Sequence, residues 1–264
     1  MPAHRVFITG ASSGIGSALA RYYAGQGAAL GLAARRGEQL QALARELSSA
    51  GAASVSCYPL DVTDAAALQA AAEDFIVRRG APDIVVANAG VSSGTLTECR
   101  EDLDVIRRIL DINVFGLAAT FSPFIPAMRQ RAAEGNPGRL VGIASVAGIR
   151  GLPGAEAYSA SKAAAISYLE SLRLEMRRSG IKVVTIAPGY IQTPMTALNP
   201  YPMPFMLPAA EAARRFARAI ERGTSYTVIP WQMGIVAKGL RLLPNWLYDR
   251  LFANAPRKPR KASE

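Results

Sequence analysis

An alternation of two patterns restricts this chain most. Short runs dense in Val and Ile, bounded by Gly, Pro or Asp, are separated by stretches with helical patterning. Residues 5–9, 28–34, 54–60, 83–89, 139–145, 182–187 and 225–230 read as buried strands. Residues 14–25, 37–50, 65–79, 98–130, 156–179 and 209–222 read as helices. A strand that returns to its sheet through a helix makes a crossover, so consecutive strands run parallel and helices cover both faces. The expected fold is α/β, one doubly wound domain with a seven-stranded parallel sheet. Two segments fall outside the alternation: a Pro-rich stretch at 194–208 and the tail after 230. The expected organisation is a domain over 1–230, with a substrate loop at 190–208, followed by an extension over 231–264.

Composition narrows the chemistry. Half of the 264 residues are hydrophobic and 19% are charged, which excludes disorder as the main state. Cys57 and Cys99 cannot build a disulfide scaffold, and reduced thiols packed as small hydrophobes suit a cytoplasmic protein. With His4 the one histidine, a zinc site or a His-based triad has no parts, and no metal is expected. No secretory leader is read at the N-terminus, and no uncharged apolar run reaches the roughly 18 residues of a membrane span. The protein is expected to be cytoplasmic, at most peripheral on a membrane. Thirty Lys+Arg against 20 Asp+Glu give +10 and favour anionic partners such as nucleotide phosphates or anionic lipid; nucleic acid is not expected.

The first strand runs into Thr9-Gly10-Ala11-Ser12-Ser13-Gly14-Ile15-Gly16, and a helix follows. Glycines at a strand-to-helix turn let the backbone approach a pyrophosphate, whose charge is favoured at the helix N-terminus. The spacing departs from G-x-G-x-x-G, and a plain tight turn uses the same residues. The second strand ends in Ala33-Ala34-Arg35-Arg36, without the carboxylate that would bond both ribose hydroxyls and repel a 2′-phosphate. This predicts NADP(H) in preference to NAD(H), with Arg35 as the phosphate contact. Arg36 is open between that role and the solvated start of a helix.

Tyr158 and Lys162 are four apart at the start of a helical stretch and share one face. A nearby ammonium favours the phenolate, so the pair is suited to moving a proton to or from a carbonyl oxygen. Ser145 ends a predicted strand, where a hydroxyl either donates to a developing alkoxide or caps a turn.

TGASSGIG at 9–16, NAG at 88–90, Asn113 in DINVFG, Ser145, YSASK at 158–162 and PGYIQT at 188–193 occur in one order. Together they resemble the classical short-chain dehydrogenase/reductase family, over about residues 5–230. The resemblance implies a Rossmann-type fold and a catalytic tetrad of Asn113, Ser145, Tyr158 and Lys162. Tyr158 would be the general acid/base and Ser145 would polarise the carbonyl. Lys162 would lower the tyrosine pKa and hold the nicotinamide ribose, and Asn113 would keep a water in the proton relay. By the same resemblance Gly10, Ser12, Ser13, Gly14, Ile15 and Gly16 cradle the pyrophosphate, with Arg35 and Arg36 beside them. Asp61 and Val62 contact adenine, and Asn88, Ala89 and Gly90 pass beneath the cofactor, Asn88 stabilising the central strands. Ile186, Pro188, Gly189 and Thr193 flank the nicotinamide. Two positions depart from the pattern: Ser13 stands where NADP-preferring members often carry a basic residue, and Ala144 replaces a common serine.

Family resemblance places the substrate under 146–157 and 190–208. Met195, Tyr201, Met203, Phe205, Met206 and Leu207 in the second segment suit either a lid over an apolar substrate or packing against the tail. Arg150 is a candidate contact for an anionic substrate, and Glu156 is a helix N-terminal charge. In the tail, Trp231, Val236, Leu240, Leu243, Leu247 and Leu251 alternate with Lys238, Arg241 and Arg250. They predict two amphipathic helices broken at Pro244-Asn245, with Asn245 capping the second. Residues 231–264 carry seven basic side chains, Lys261 included, against Asp249 and Glu264. The end from 256 to 261 is expected to be flexible and basic. Two alternatives stay open for the tail: packing on the subunit or its neighbour, or peripheral membrane contact through 231–261. The expected activity is NADP(H)-dependent hydride transfer, in the reductive direction, on a carbonyl or secondary alcohol of a lipidic, steroid-like or 3-oxoacyl substrate. The enzyme is expected to be a homodimer or homotetramer. A catalytically silent nucleotide-binding regulator or membrane-surface scaffold is the competing function, and it would not need all four tetrad residues.

Overall fold

The structure is a computed structural model that describes residues 4–260; Lys261 and Glu264 of the expected basic end lie outside the described residues. Its strands are β1 (Arg5–Thr9), β2 (Ala29–Ala34), β3 (Ser54–Pro59), β4 (Ile84–Ala87), β5 (Arg139–Ile143), β6 (Lys182–Pro188), β7 (Ile191–Gln192), β8 (Leu207–Pro208) and β9 (Tyr226–Ile229). Seven of them form one sheet in the order 3-2-1-4-5-6-9, every neighbouring pair parallel. The order reverses between β1 and β4, so a crevice opens there beyond the carboxyl ends of the strands. The short pair β7–β8 closes the base of the Pro-rich loop.

The helices are α1 (Gly14–Ala24), α2 (Gly37–Ser49), α3 (Ala65–Arg79), α4 (Asp102–Leu110), α5 (Gly116–Phe121), α6 (Ile125–Ala133), α7 (Glu156–Glu175), α8 (Ala209–Arg222), α9 (Trp231–Leu242) and α10 (Asn245–Phe252). Side chains alternate across a strand, so β1 sends Val6 and Ile8 to the core under α1, α2 and α8. Phe7 points the other way, into the core under α3, α5, α6 and α7. Burial on both faces is why the strands read as uniformly apolar. Phe7 packs 5.6 Å from Phe75 and 4.7 Å from Phe124, ring centre to ring centre. These rings need Gly31 beside them, where a Cβ would stand 2.5 Å from Phe7.

The helix expected over 98–130 begins at Asp102 and is not one regular element. A π-helical turn over Asp111–Phe115 and a 3₁₀ turn over Ser122–Phe124, with Pro123, divide it. Its apolar periodicity runs through both turns, so the pattern concealed the break. The rod Asp102–Ala133 is long and apolar enough to cross a membrane by composition, yet 44% of its most apolar window is buried inside the protein. Leu117, Phe121, Phe124 and Met128 belong to the core, which accounts for that composition.

The tail forms two helices, as expected, but presents different faces. Met233, Ala237 and Tyr248 are the buried positions, whereas Trp231, Ile235, Val236, Leu242, Trp246 and Leu251 are exposed. Asn245 does not cap α10 from outside; it is the first helical residue, and its Oδ1 accepts from Arg150 at 3.1 Å. Arg150 is not free to meet a substrate anion. Its Nη1 donates to the Leu240 carbonyl and, at 2.7 Å, to that of Leu243. Its guanidinium lies 3.8 Å over the Tyr248 ring, so it closes the C-terminal end of α9 and anchors α10. The basic end is likewise held: Arg260 pairs with Glu101 and Asp102.

Candidate active site

The turn after β1 forms one end of the crevice. Gly10 and Gly14 adopt φ of +66° and +58°, the left-handed region that a side chain disfavours. Beneath them a Cβ on Gly16 would stand 2.4 Å from the Gly10 carbonyl oxygen, so α1 packs directly under the turn. Asn88 at the end of β4 donates from Nδ2 to the carbonyls of Thr9 (3.0 Å) and Gly10 (3.2 Å). It thereby joins β1 to β4 across the crevice.

Arg36 turns back onto the glycine turn. Its Nη2 donates to Ser12 Oγ at 2.9 Å and Ser13 Oγ at 2.8 Å. The guanidinium therefore stands beside Ser13, the position without a basic side chain of its own. Arg35 instead lies 3.8 Å from Asp61, whose Oδ1 accepts from the backbone and hydroxyl of Thr63. Both arginines border the crevice, but Arg36, not Arg35, is the one on the turn.

The opposite end is built by β5 and α7 at close range. A Cβ on Gly142 would fall 2.3 Å from Leu169, and one on Gly148 would fall 2.6 Å from the Lys162 carbonyl carbon. This approach seats Tyr158 and Lys162 over the end of β5. Lys162 is buried; its Nζ donates to the Ile143 carbonyl at 2.9 Å and lies 5.8 Å from the Tyr158 ring centre. Ser145 Oγ accepts from the Ala147 backbone at 3.1 Å and also hydrogen-bonds Tyr158, so the hydroxyl caps a turn and touches the phenol at once.

Burial dominates both titrating groups. It pushes the Tyr158 phenol above its ordinary value, with the Ser145 hydrogen bond pulling the other way. It pushes the Lys162 ammonium down to about 8. The expected lowering of the tyrosine by Lys162 is thus not the leading influence, because low-dielectric surroundings penalise the charged form of each. At neutral pH Tyr158 holds its proton and can donate it to an oxygen seated by Ser145.

Asn113 sits in the π-helical turn, buried, and does not line the crevice. Its Oδ1 accepts from the Val91 N–H at 2.8 Å, and its Nδ2 donates to the Val91 carbonyl at 3.0 Å and Ser161 Oγ at 2.9 Å. Ser161 in turn donates to the Tyr158 carbonyl at 2.8 Å, so Asn113 ties the segment after β4 to the first turn of α7. Ile186 belongs to the core, and its carbonyl accepts from the Ala144 N–H at 2.7 Å; it does not line the crevice.

Gly16 does not line the crevice either, because it packs under Gly10, and the remaining expected residues meet in one crevice of about 400 Å³. Gly10, Ser12, Ser13, Gly14, Ile15, Arg35 and Arg36 border one end, Asp61, Val62, Asn88, Ala89 and Gly90 the middle, and Ser145, Tyr158, Lys162, Pro188, Gly189 and Thr193 the other. Ile191, Met195 and Thr196 of the expected 190–208 segment also line it, whereas Val91 had no local signal beyond lying next to the 88–90 motif. Lys258 was missed altogether: its Nζ lies over the Tyr158 ring, 5.9 Å from the centre. Tyr201 of the Pro-rich loop is near enough to Tyr158 and Tyr190 to feel their charges. The start of that loop, Pro194 to Thr196, lines the crevice.

These residues fit a nicotinamide dinucleotide. A backbone cradle that side chains would fill, two guanidinium groups and serine hydroxyls suit its phosphates, and a proton donor stands at the far end. Gly14 and Thr193 face each other across the crevice, a Cβ on Gly14 falling 3.3 Å from the threonine methyl.

Comparison with known proteins agrees. The family model described as short chain dehydrogenase matches residues 4–200. An uncharacterized oxidoreductase of Myxococcus xanthus is 42% identical over 242 residues, spanning 92% of this chain and 93% of its own. The 3-ketoacyl-(acyl-carrier-protein) reductase of Brucella melitensis, solved with NADH, has a TM-score of 0.78 at 25% identity, covering 86% of this chain and 96% of that one. An alcohol dehydrogenase of Thermococcus sibiricus, solved with 5-hydroxy-NADP, has a TM-score of 0.74 at 26% identity, covering 86% and 95%. With the glycine turn, the Ser145–Tyr158–Lys162 cluster and the strand order all in place, the chain belongs to the short-chain dehydrogenase/reductase family of NAD(P)-dependent oxidoreductases.

Proposed function

We propose that this protein uses NADPH to reduce the carbonyl of an apolar substrate. One observation carries this: the crevice holds a protonated, largely buried tyrosine at one end and a guanidinium clasped to the glycine turn at the other. A bound nicotinamide supplies the hydride. Tyr158 gives the proton to the new alkoxide, Ser145 orients the oxygen, and Lys162 holds positive charge beneath the tyrosine. Arg36 and Arg35 would receive the 2′-phosphate, and Ser12, Ser13 and the N-terminus of α1 the pyrophosphate. Asp61 and Val62 would border the adenine. A phenol kept protonated favours reduction, since that direction consumes its proton.

The apolar substrate is supported by Ile191 and Met195 in the wall and by Phe205 and Met206, exposed on the same loop. A silent regulator has no use for the Ser145–Tyr158 hydrogen bond or the close docking of α7. The exposed Trp231, Ile235, Leu242 and Trp246, with Lys238 and Arg241 on the same helices, support attachment of a cytoplasmic enzyme to an anionic membrane surface. Assembly as a homodimer or homotetramer follows the family habit.

Titration of purified protein with NADPH and NADH, followed by turnover on a panel of apolar ketones and 3-oxoacyl thioesters, tests the proposal. NADPH preference with turnover of one class is expected. NADH preference would overturn the cofactor assignment, and binding without turnover across the panel would favour the regulator.

A further inference from the structure

Residues 256–260 return from α10 and run between the loops that flank Tyr158. On one side, a Cβ on Gly154 would meet the Arg257 side chain at 3.0 Å. On the other, the Gly94 N–H donates to the Pro259 carbonyl at 3.0 Å, and a Cβ on Gly94 would stand 2.1 Å from the Lys258 carbonyl oxygen. Arg260 then locks the strap: it donates to Asp102 at 2.9 and 3.2 Å and to Glu101 at 2.9 Å. The Asp102 side chain is only 3% exposed, so this is a seated pair and not a loose surface contact.

Lys258 is held between these two fastenings. Its Nζ donates to Ser92 Oγ at 2.8 Å and lies over the Tyr158 ring. Among the described residues no carboxylate pairs with it. Arg150, Lys162 and Arg260 are held by protein oxygens, at the end of α9, at Ile143 and at two carboxylates, whereas Arg257 is exposed against Gly154, which leaves Lys258 as the unpaired cation at the Tyr158 ring. A half-buried ammonium without an anionic partner is costly, and burial pushes its pKa below the ordinary lysine value.

We infer that Lys258 is a specificity-determining residue that receives a carboxylate on the substrate, which makes the preferred substrate an apolar oxo acid. This rests on the proposed reduction of an apolar carbonyl by Tyr158. A single ammonium acts as a point charge, and one such charge balances a carboxylate, whereas a phosphate dianion calls for more than one cation. Because Lys258 stands over the ring of the proton donor, the carboxylate lies within a short chain of carbons from the reducible carbonyl.

The test uses the full chain, NADPH and a series of oxo fatty acids with the ketone at carbons 4 to 8, each beside its methyl ester. The readout is the ratio of kcat/KM for acid over ester. Wild type is expected to favour the acid by about tenfold to a hundredfold at the best spacing, the range of a charged hydrogen bond. Lys258→Met should collapse that ratio through KM, and Lys258→Arg should restore part of it. No acid preference in wild type would overturn the inference, as would a Lys258→Met loss that falls equally on acid and ester. If neither is reduced, the proposed function fails. Calorimetric binding of the acids and esters to the NADP⁺-loaded protein then decides the inference separately: equal binding of both overturns it, and tighter acid binding lost in Lys258→Met supports it.

Discussion

The two ends of the crevice are built on opposite physical terms. At the turn end, the Arg35 side chain is 51% exposed and Arg36 bonds only serine hydroxyls, so charge acts there in a watery, screened setting. At the α7 end, Lys162 is 5% exposed, and a backbone carbonyl and two glycine contacts determine where it stands. Selectivity is assigned to the screened end, where one charge can change without disturbing the fold. Proton transfer is assigned to the dry end, where geometry is rigid and burial sets protonation.

Substitutions at the two ends should therefore differ in size and kind. Tyr158→Phe is expected to lower turnover by about a hundredfold to ten-thousandfold while NADPH binding is retained, the range for losing a general acid. Steady-state kinetics beside fluorescence titration of NADPH checks this; comparable turnover in the variant would remove the assigned proton donor. Arg36→Ala should raise KM for NADPH by about tenfold to a hundredfold and leave NADH nearly unchanged. Equal effects on both nucleotides would mean that Arg36 merely braces the glycine turn.

A smaller effect comes from pH. Lys162 carries its charge below a pKa of about 8 and loses it as pH rises. kcat/KM for reduction is thus expected to be level below that value and to fall by about tenfold per pH unit well above it. A profile level to pH 9.5 would contradict a lysine depressed by burial. Smallest is Gly148→Ala, whose new methyl would press on the Lys162 backbone and should cost about 1–3 kcal/mol in denaturant unfolding. Gly151→Ala, three residues on and facing open space, should stay within about 0.5 kcal/mol. Equal losses at the two glycines would show that close docking of α7 is not what holds the dry end.

Much of this was legible in the chain because the relevant signals are short. The Gly10–Gly16 turn, the Tyr158–Lys162 spacing and the strand runs each fit within one element or one turn. The failures share a cause as well. The apolar period of 98–130 runs unbroken through the π-helical turn that carries Asn113, so local pattern could not locate the break. Arg35 borders the crevice beside Asp61, but the sequence left Arg36 open, because its contacts with Ser12 and Ser13 lie 24 and 23 residues back in the chain. Arg150 looked like a substrate cation until α9 and α10 were folded against it. Lys258 and Arg260 looked like a solvated basic end because their partners Ser92 and Asp102 are 166 and 158 residues away.

By itself, the sequence determined the parallel sheet, the glycine turn and the pairing of Tyr158 with Lys162 on one face of α7. Each follows from periodicity, steric freedom or functional-group chemistry, all properties of neighbouring residues. Tertiary structure decided which arginine meets the turn, whether the half-buried Tyr158 keeps its proton, and where residues 256–260 lie. Those outcomes depend on desolvation and on charge pairs closed across long stretches of chain, and such contacts exist only once the sheet has brought the loops together.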